Sequence, residues 1–522
     1  MVGRTKSYFV IILALTSLIY GAQGANILGL FPSLSPSHLI ISMSVAKILA
    51  EQGHNVTVVT VLEPTISHKN INLVAVPMTK EEIKQRSEAI GAKQKSTSSN
   101  RLLSILNMSG QMDSMLRKMA DVLKDQRVKE LYLNKGNHFD LVISGYFMND
   151  YQLGFARKVS APVVVLAPSP PSQMLNSLIG NPHDKVEKEK GMTFGQRLDS
   201  YINSLLYGIF MRQIDQRNRQ YYKEIFGDDP TMPEYTDILR NTSLVFFCSH
   251  AASEGPIRPS VPAAIEIGGI QIKDKPDPLP KNLEEFLGNA THGAILLSLG
   301  SNVQGSHIKP DTVKMIFSVL SNLKQRVISK WEDLDQTPGK SDNILYSRWL
   351  PQDDILAHPS VKLFINHAGK GGITEAQYHG KPMLSLPVFG DQPGNAHAMV
   401  KSGFGLALSL LTLEEEPFRA AVQEILSNPK YSQQVVKFSS LYRDRPASAR
   451  DSLIFWTEYV IRHHGAAHLQ SPLVHMDFIA ANNLDIYALI GAILVGILLI
   501  LKKVLQITFG RLGTKLNKVK IQ

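Results

Sequence analysis

Cysteine is all but missing from this chain, which has one, Cys248, in 522 residues. A lone thiol excludes any intrachain disulfide, so stability must come from packed cores even in an oxidising compartment; Cys248 itself reads as a buried structural thiol. Charge is modest too, 19% of residues against 44% hydrophobic. That balance excludes a disordered chain and leaves room for two or three ordinary domains. The formal excess of +10 points to nucleic acid until it is located. Arg4 and Lys6 stand at the start, and Lys502, Lys503, Arg511, Lys515, Lys518 and Lys520 follow the last hydrophobic run. Without these the body is near neutral and has no basic stripe interleaved with aromatics, so no nucleic-acid partner is expected.

Long apolar runs are confined to the two ends. Arg4 and Lys6, the apolar segment Phe9 to Leu18, and small residues at Ala22 and Gly24 make a secretory signal peptide over residues 1–24. Ile486 to Leu501 contains one polar side chain, Tyr487, and Val504 and Leu505 lengthen the run if Lys502 and Lys503 snorkel. A transmembrane helix is expected over 484–505, followed by a basic tail, 506–522, that the positive-inside rule places in the cytosol. Lys518 and Lys520 resemble the dilysine retrieval signal of endoplasmic-reticulum membrane proteins, a receptor-read address. These features together predict a single-pass type I protein of the endoplasmic reticulum membrane with a lumenal body. Sequons stand at Asn55, Asn107, Asn241 and Asn289, the first of them inside an expected strand.

Between the ends, Ala25 to Phe31, His38 to Gln52 and Asn55 to Val61 read as strand, helix and strand, a βαβ opening. Runs at Leu141 to Ser144 and Val163 to Leu166 continue it. The stretches Lys80 to Lys135 and Asn176 to Ile225 look mostly helical; an apolar acceptor pocket could be built there, although a Met stripe is more often ordinary core. From Ser253 to Pro280 the composition turns to Pro, Gly and isolated charges, as in a linker. A second α/β run follows, with strands expected at Ala294 to Ser298, Val327 to Ser329, Ile344 to Tyr346, Leu363 to Asn366 and Met383 to Leu386. The division is therefore 25–255, a linker 256–282, 283–440, and returning helices with a juxtamembrane segment over 441–483.

The most informative stretch is Phe364 to Glu375, which reads as a buried strand, the turn His367-Ala368-Gly369-Lys370-Gly371-Gly372, and a helix start. Glycines let the backbone approach a phosphate, and the free N–H groups and dipole of a first helical turn favour an anion. A glycine turn alone is weak, because many only join a strand to a helix. Here it is followed by Pro382, Pro387 and Asp391-Gln392, a carboxylate and an amide suited to sugar hydroxyls. The whole run resembles the signature of the UDP-glycosyltransferases of animals and plants. Trp349-Leu350-Pro351-Gln352 is similar to that family's uracil-binding segment, Leu297 to Ser301 to its strand-end phosphate contact, and Pro32 to His38 to its catalytic-histidine loop. The membrane tail matches the membrane-bound animal members, and the chain most resembles the insect ones.

That resemblance implies two facing Rossmann-like α/β domains, the GT-B arrangement, with a C-terminal transmembrane helix and ligands in the crevice beyond the strands' carboxyl ends. It implies inverting transfer of a hexose from a UDP-sugar to a hydroxyl of a small lipophilic acceptor, for detoxification or hormone conjugation. UDP-sugar is a co-substrate; no cofactor and no metal are expected, and a homo-oligomer stays open. A neutral imidazole must take the acceptor's proton while the leaving diphosphate is stabilised. His38 is the base, at a helix start that keeps it neutral. Trp349 would stack on uracil, Gln352 contact uracil or ribose, and Glu375 accept from ribose hydroxyls. Ser301, His367, Gly369 and the N–H groups of Gly371 and Gly372 would hold the diphosphate, and Asp391 and Gln392 the sugar. Glucose is favoured over glucuronic acid because the insect members use it.

One position departs from the pattern in a way that matters. Gly145 stands where the family has the aspartate that orients its histidine. Asp150, a few residues beyond the strand, is the nominated replacement, and a solvated loop aspartate is the other reading. If it serves, Asp150→Asn should cut turnover roughly 100-fold. Asn366, Ala368 and Gly371 are milder departures. The loss at Gly145 motivates a rival from another class, a catalytically impaired UDP-sugar or lipophile-binding pseudoenzyme.

Overall fold

Ile27, Leu28 and Leu30 are wholly shielded from solvent because Asn26–Phe31 (β1) is a central strand of a parallel sheet. The computed structural model describes residues 24–93, 101–182, 191–253, 259–300, 303, 305 and 308–519. The leader, Ser301 and the last tail residues lie outside that description. Flanking β1 in parallel are Asn55–Thr60 (β2) and, on the other side, Leu141–Gly145 (β4); Ile71–Ala75 (β3) lies outside β2. Val163–Ala167 (β5), Thr242–Phe247 (β6) and Ala264–Glu266 (β7) complete a seven-stranded sheet of order β3-β2-β1-β4-β5-β6-β7. Strands buried on both faces read as continuous apolar runs, and each buried Leu, Ile or Val contributes about 1.5–3 kcal/mol.

β7 corrects the expected domain boundary. It lies within the proline-rich stretch taken as linker, yet it pairs in parallel with β6, so the first domain continues past residue 255 to at least Glu266. A three-residue strand carries no periodicity of its own; only the exposed edge of β6 gives it a partner.

The second sheet is six-stranded and parallel, of order β10-β9-β8-β11-β12-β13. Its strands are Ala294–Ser298 (β8), Arg326–Lys330 (β9), Ile344–Ser347 (β10), Val361–Asn366 (β11), Met383–Ser385 (β12) and Gly405–Ala407 (β13). In each sheet the strand order reverses beside the first strand of its domain, at β1/β4 and at β8/β11. Such switch points open a crevice beyond the carboxyl ends, the usual ligand position in α/β sheets.

The helices that matter for the site are Pro36–Glu51 (α1), Phe194–Phe226 (α2), Gln352–Ala357 (α3), Lys370–Tyr378 (α4) and Gln392–Lys401 (α5). Two more close the body. Pro429–Arg443 (α6) packs on α4, whereas Ala449–Arg462 (α7) packs on α1, with Arg450 Nη2 2.7 Å from Glu51 Oε2. Leu453 and Val460 of α7 join the core of the first sheet, so the chain crosses back to its first domain. Residues 471–522 form a separate unit. It starts with short turns, including one capped by Asp477 Oδ1, and continues as the helix Leu484–Val519 (α8). The most apolar 18 residues of Leu484–Phe509 have a mean hydropathy of 2.6, and the segment is long and apolar enough to cross a membrane.

Candidate active site

Ser35 is extended, and Pro36 supplies the preset φ of a first helical position, so α1 starts directly beyond β1. This puts His38 in the first turn, over the β1/β4 switch point. The ring lies 5.5 Å from that of Phe147, just past β4. Burial pulls the imidazole down to about 4, against an opposing pull from the Asp391 carboxylate. His38 is therefore neutral at physiological pH. Its Nδ1, the nitrogen an orienting carboxylate would have to reach, is enclosed and has no hydrogen-bond partner among the described residues.

Asp150 is not brought to that nitrogen. It starts the turn Asp150–Leu153, is 5% exposed, and its charge is felt by Tyr146, Tyr151 and Tyr235 rather than by His38. Burial and the nearby Asp215 push its carboxyl up to about 7. What occupies the end of β4 is an amide network. Asn149 Nδ2 donates to the Gly145 carbonyl at 3.3 Å and to Gln152 Oε1 at 3.0 Å; Gln152 Nε2 donates to the Leu30 carbonyl and to Ser144 Oγ. Above it lies Phe31. A Cβ at Gly145 would meet the Phe31 ring at 2.9 Å and the Leu30 carbonyl at 3.1 Å, so Phe31 fills the space of the missing side chain.

These surroundings set the outcome for Asp150→Asn. A carboxyl held near 7 when folded and near 4 when unfolded binds a proton in the folded state alone, so wild-type stability falls as pH rises from about 4 to 7. The variant lacks that loss and is expected to melt higher than wild type at pH 8 and nearly with it at pH 5, by thermal unfolding. Turnover should stay within about threefold, since a group that does not touch the base has no share in the 10²–10⁴-fold effect of acid–base groups. A hundredfold loss would restore Asp150 as the orienting carboxylate.

The second domain presents its groups from three helix starts. Trp349 precedes α3 and is 55% exposed, so it is not core packing and offers a free ring face. Gln352, at the start of α3, donates from Nε2 to Glu375 Oε2 at 2.6 Å. Burial, with Asp353 and Asp354 nearby, raises the Glu375 carboxyl to about 8 despite that bond. Gly369 caps α4, and the first intrahelical bond runs from Ile373 N to Gly369 O at 3.1 Å. The N–H groups of Gly371 and Gly372 precede it and have no intrahelical acceptor.

His367 is wedged between two glycines. A Cβ at Gly300 would fall 2.4 Å from its Cε1, and one at Gly369 2.4 Å from its Nε2. Only hydrogen fits at either place, and Gly300 also has φ +78°, the left-handed region. Burial lowers the His367 imidazole to about 4; Asp391 raises it and Lys330 lowers it further. Ala368 takes φ +61° and is held by Asn366 Oδ1 on its N–H and Asn395 Nδ2 on its carbonyl.

Asp391 is exposed before α5, its Oδ2 receiving Asn395 Nδ2 at 2.6 Å. Its charge acts on both His38 and His367, the histidines at the two switch points. Gln392 behaves differently from expectation. It is buried, and its Oε1 accepts from the N–H groups of Val388 and Phe389 at 2.8 and 3.1 Å, which leaves only its amide nitrogen for a ligand.

A family profile described as "UDP-glucoronosyl and UDP-glucosyl transferase" matches residues 30–519. The chain belongs to this family. UDP-glycosyltransferase UGT5 of Dactylopius coccus is 34% identical over 94% of both chains, and UDP-glucuronosyltransferase 2B1 of Rattus norvegicus 27% over 90% of both. Among solved structures, a Polygonum tinctorium UDP-glucosyltransferase superposes with TM-score 0.54 at 14% identity, covering 85% of this chain and 99% of that one. VinC, a glycosyltransferase in complex with dTDP, does so with 0.54 at 18%, covering 84% and 100%. The fold is that of the GT-B glycosyltransferases, and the activity is transfer of a sugar from a UDP-sugar to an acceptor.

Three features of this UDP-glycosyltransferase were not anticipated from its sequence: the Asn149–Gln152 network, Phe31 over Gly145, and Lys330 at the end of β9. The first two carry no motif. Lys330 does leave a signal, a cation ending the apolar strand Arg326–Lys330 and so placed at a carboxyl end.

Proposed function

We propose that the enzyme moves a hexose, with inversion, from a UDP-sugar to a hydroxyl of a small lipophilic acceptor, with His38 as base. The observation that carries this reading is a neutral His38 at one switch point sharing the field of Asp391 with His367 at the other. The acceptor oxygen attacks the anomeric carbon from the face opposite the diphosphate, and its proton passes to the imidazole. The electrons of the broken C1–O bond go to the β-phosphate oxygen, and UDP leaves. Asp391 opposes the positive charge that develops on His38 and holds sugar hydroxyls, with the Gln392 amide beside it. Trp349 stacks on uracil, Gln352 and Glu375 hold the ribose, and His367 with the N–H groups of Gly371 and Gly372 receives the diphosphate.

Glucose is the favoured sugar: Asp391 adds negative charge where a glucuronate carboxylate would add more, and the relatives include a UDP-glucosyltransferase of Dactylopius coccus. Conjugation of lipophilic compounds at the endoplasmic reticulum membrane, with the body in the lumen, fits a chain that pairs this site with α8. The test is UDP release by the full-length protein from UDP-glucose and UDP-glucuronic acid against a panel of phenols, flavonoids and steroids. Release with neither sugar, alongside intact UDP binding, supports the second reading, a binding protein; it is motivated by Gly145 in place of an orienting aspartate and by His38 Nδ1, which has no partner among the described residues.

Glu375 makes donor binding pH-dependent in a definite direction. Ribose hydroxyls donate best to a carboxylate, but near pH 7 the free enzyme holds this group largely protonated. Binding must then release a proton, so UDP affinity is expected to rise several-fold between about pH 6.5 and 8.5. Calorimetry in two buffers of different ionisation enthalpy measures that release, and Glu375→Gln should flatten the profile.

A further inference from the structure

Lys330 ends β9, and strand alternation places it on the face of Ile328, which packs in the cluster with Ile355 and Leu356 of α3 and Ile373 and Ala376 of α4. That is the face on which Gln352 and Glu375 meet. β9 neighbours β8, so the side chain reaches the β8 terminus, where Nζ donates to the Gly300 carbonyl at 2.7 Å. Gly300 in turn lies against the His367 ring. The ammonium is partly buried, yet no carboxylate among the described residues lies within ion-pair distance of it. Glu332, whose charge acts on it, accepts the N–H of Gly305 at 3.2 Å.

A desolvated cation ordinarily has a counter-ion, and without one burial acts against its charge. Lys330 shows that cost: burial lowers its ammonium below the usual lysine value. Among the described residues one of its three N–H donors is used, by the Gly300 carbonyl, and two are left for another acceptor. His367 is neutral, and the cation of the turn, Lys370 at the first residue of α4, has its charge felt by His250. We infer that Lys330 is a diphosphate-binding residue of the donor site, its ammonium contacting the phosphate oxygens beside Gly300 and taking up the negative charge that grows as UDP departs. This rests on the donor-site reading above. It assigns the nucleotide's diphosphate, rather than its base or ribose, to Lys330.

The experiment uses the full-length protein in detergent, with uridine and UDP as probes in calorimetry and UDP-sugar turnover alongside. Losing one charge-assisted contact to the diphosphate should weaken UDP at least about tenfold in Lys330→Met, while uridine stays within about twofold and so reports an intact fold. Lys330→Arg, which keeps the charge, should recover most of the UDP affinity, and kcat should fall in Lys330→Met and not merely KM rise. Unchanged UDP binding in Lys330→Met would overturn the inference. Equal loss of uridine and UDP would overturn it too, by making Lys330 a strut for the Gly300 turn. Wild-type protein that binds uridine but gains nothing from the diphosphate would remove the inference alone, whereas binding of neither probe would remove the donor-site reading as well.

Discussion

His38→Ala abolishes measurable sugar transfer, a loss of at least about 10³-fold within the range for acid–base groups, while UDP affinity stays within about twofold. The split is expected because His38 belongs to the first domain and the nucleotide groups to the second. His38→Gln, which keeps polarity without a usable base, should be as inactive. The pH profile is the sharper check. A base held near 4 by burial remains unprotonated throughout the neutral range, so kcat/KM should show no fall from imidazole protonation until pH drops below about 5. A fall centred near the ordinary histidine value would mean that the site opens to water before the acceptor's proton is taken. Retention of most turnover in His38→Ala would remove it from the mechanism and leave the impaired-enzyme reading stronger.

Gly300→Val should all but eliminate UDP binding, by about 100-fold or more, since it displaces several diphosphate contacts each contributing about 1.5–3 kcal/mol. Two independent obstacles meet at that residue. The first Cβ atom would stand 2.4 Å from the His367 ring, and φ +78° is closed to a β-branched side chain. A displaced ring gives up its place between Gly300 and Gly369, where the diphosphate is proposed to bind, and a shifted Gly300 carbonyl leaves Lys330. Titration with UDP and uridine reads the effect, with thermal unfolding to register the strain. Wild-type UDP affinity in this variant would show that the glycine-flanked imidazole does not sit at the diphosphate.

How much of the site was legible depended on sequence distance. Trp349, Gln352, His367 to Gly372 and Glu375 were readable because strand, turn and helix start follow one another along the chain, and the chemistry of a helix N-terminus is local. Gln352 and Glu375 were each identifiable, but their 2.6 Å bond and the raised Glu375 carboxyl were not, because that proximity is created by packing α3 against α4. Asp150 illustrates the opposite case. Its place past the end of β4 suggested the cleft, yet the turn Asp150–Leu153 directs it among Tyr146, Tyr151 and Tyr235. One turn residue's conformation decides which way a side chain leaves a strand end, and nothing in the local composition encodes that choice.

Among the strands, β1, β2, β4, β5 and most of the second sheet followed from apolar runs between turn signals. β6 was passed over although it is buried throughout, because a short apolar run lacks a period that separates strand from helix. β3 and β13 are edge strands and β7 has three residues, so their existence depends on the neighbour that offers an edge.

The sequence by itself determined the two α/β units, the apolar C-terminal helix, the glycine turn before α4 and a histidine at the start of α1. Each is a matter of residues close in the chain, where periodicity, helix starts and glycine's freedom act directly. Tertiary structure alone decided that the charge of Asp391 acts on both His38 and His367, that Phe31 fills the space over Gly145, that Gln392 turns its oxygen to its own loop, and that Lys330 reaches the end of β8. Those outcomes depend on which strands become neighbours and on how the two sheets share one cleft, and burial then sets the charge state of every group so enclosed.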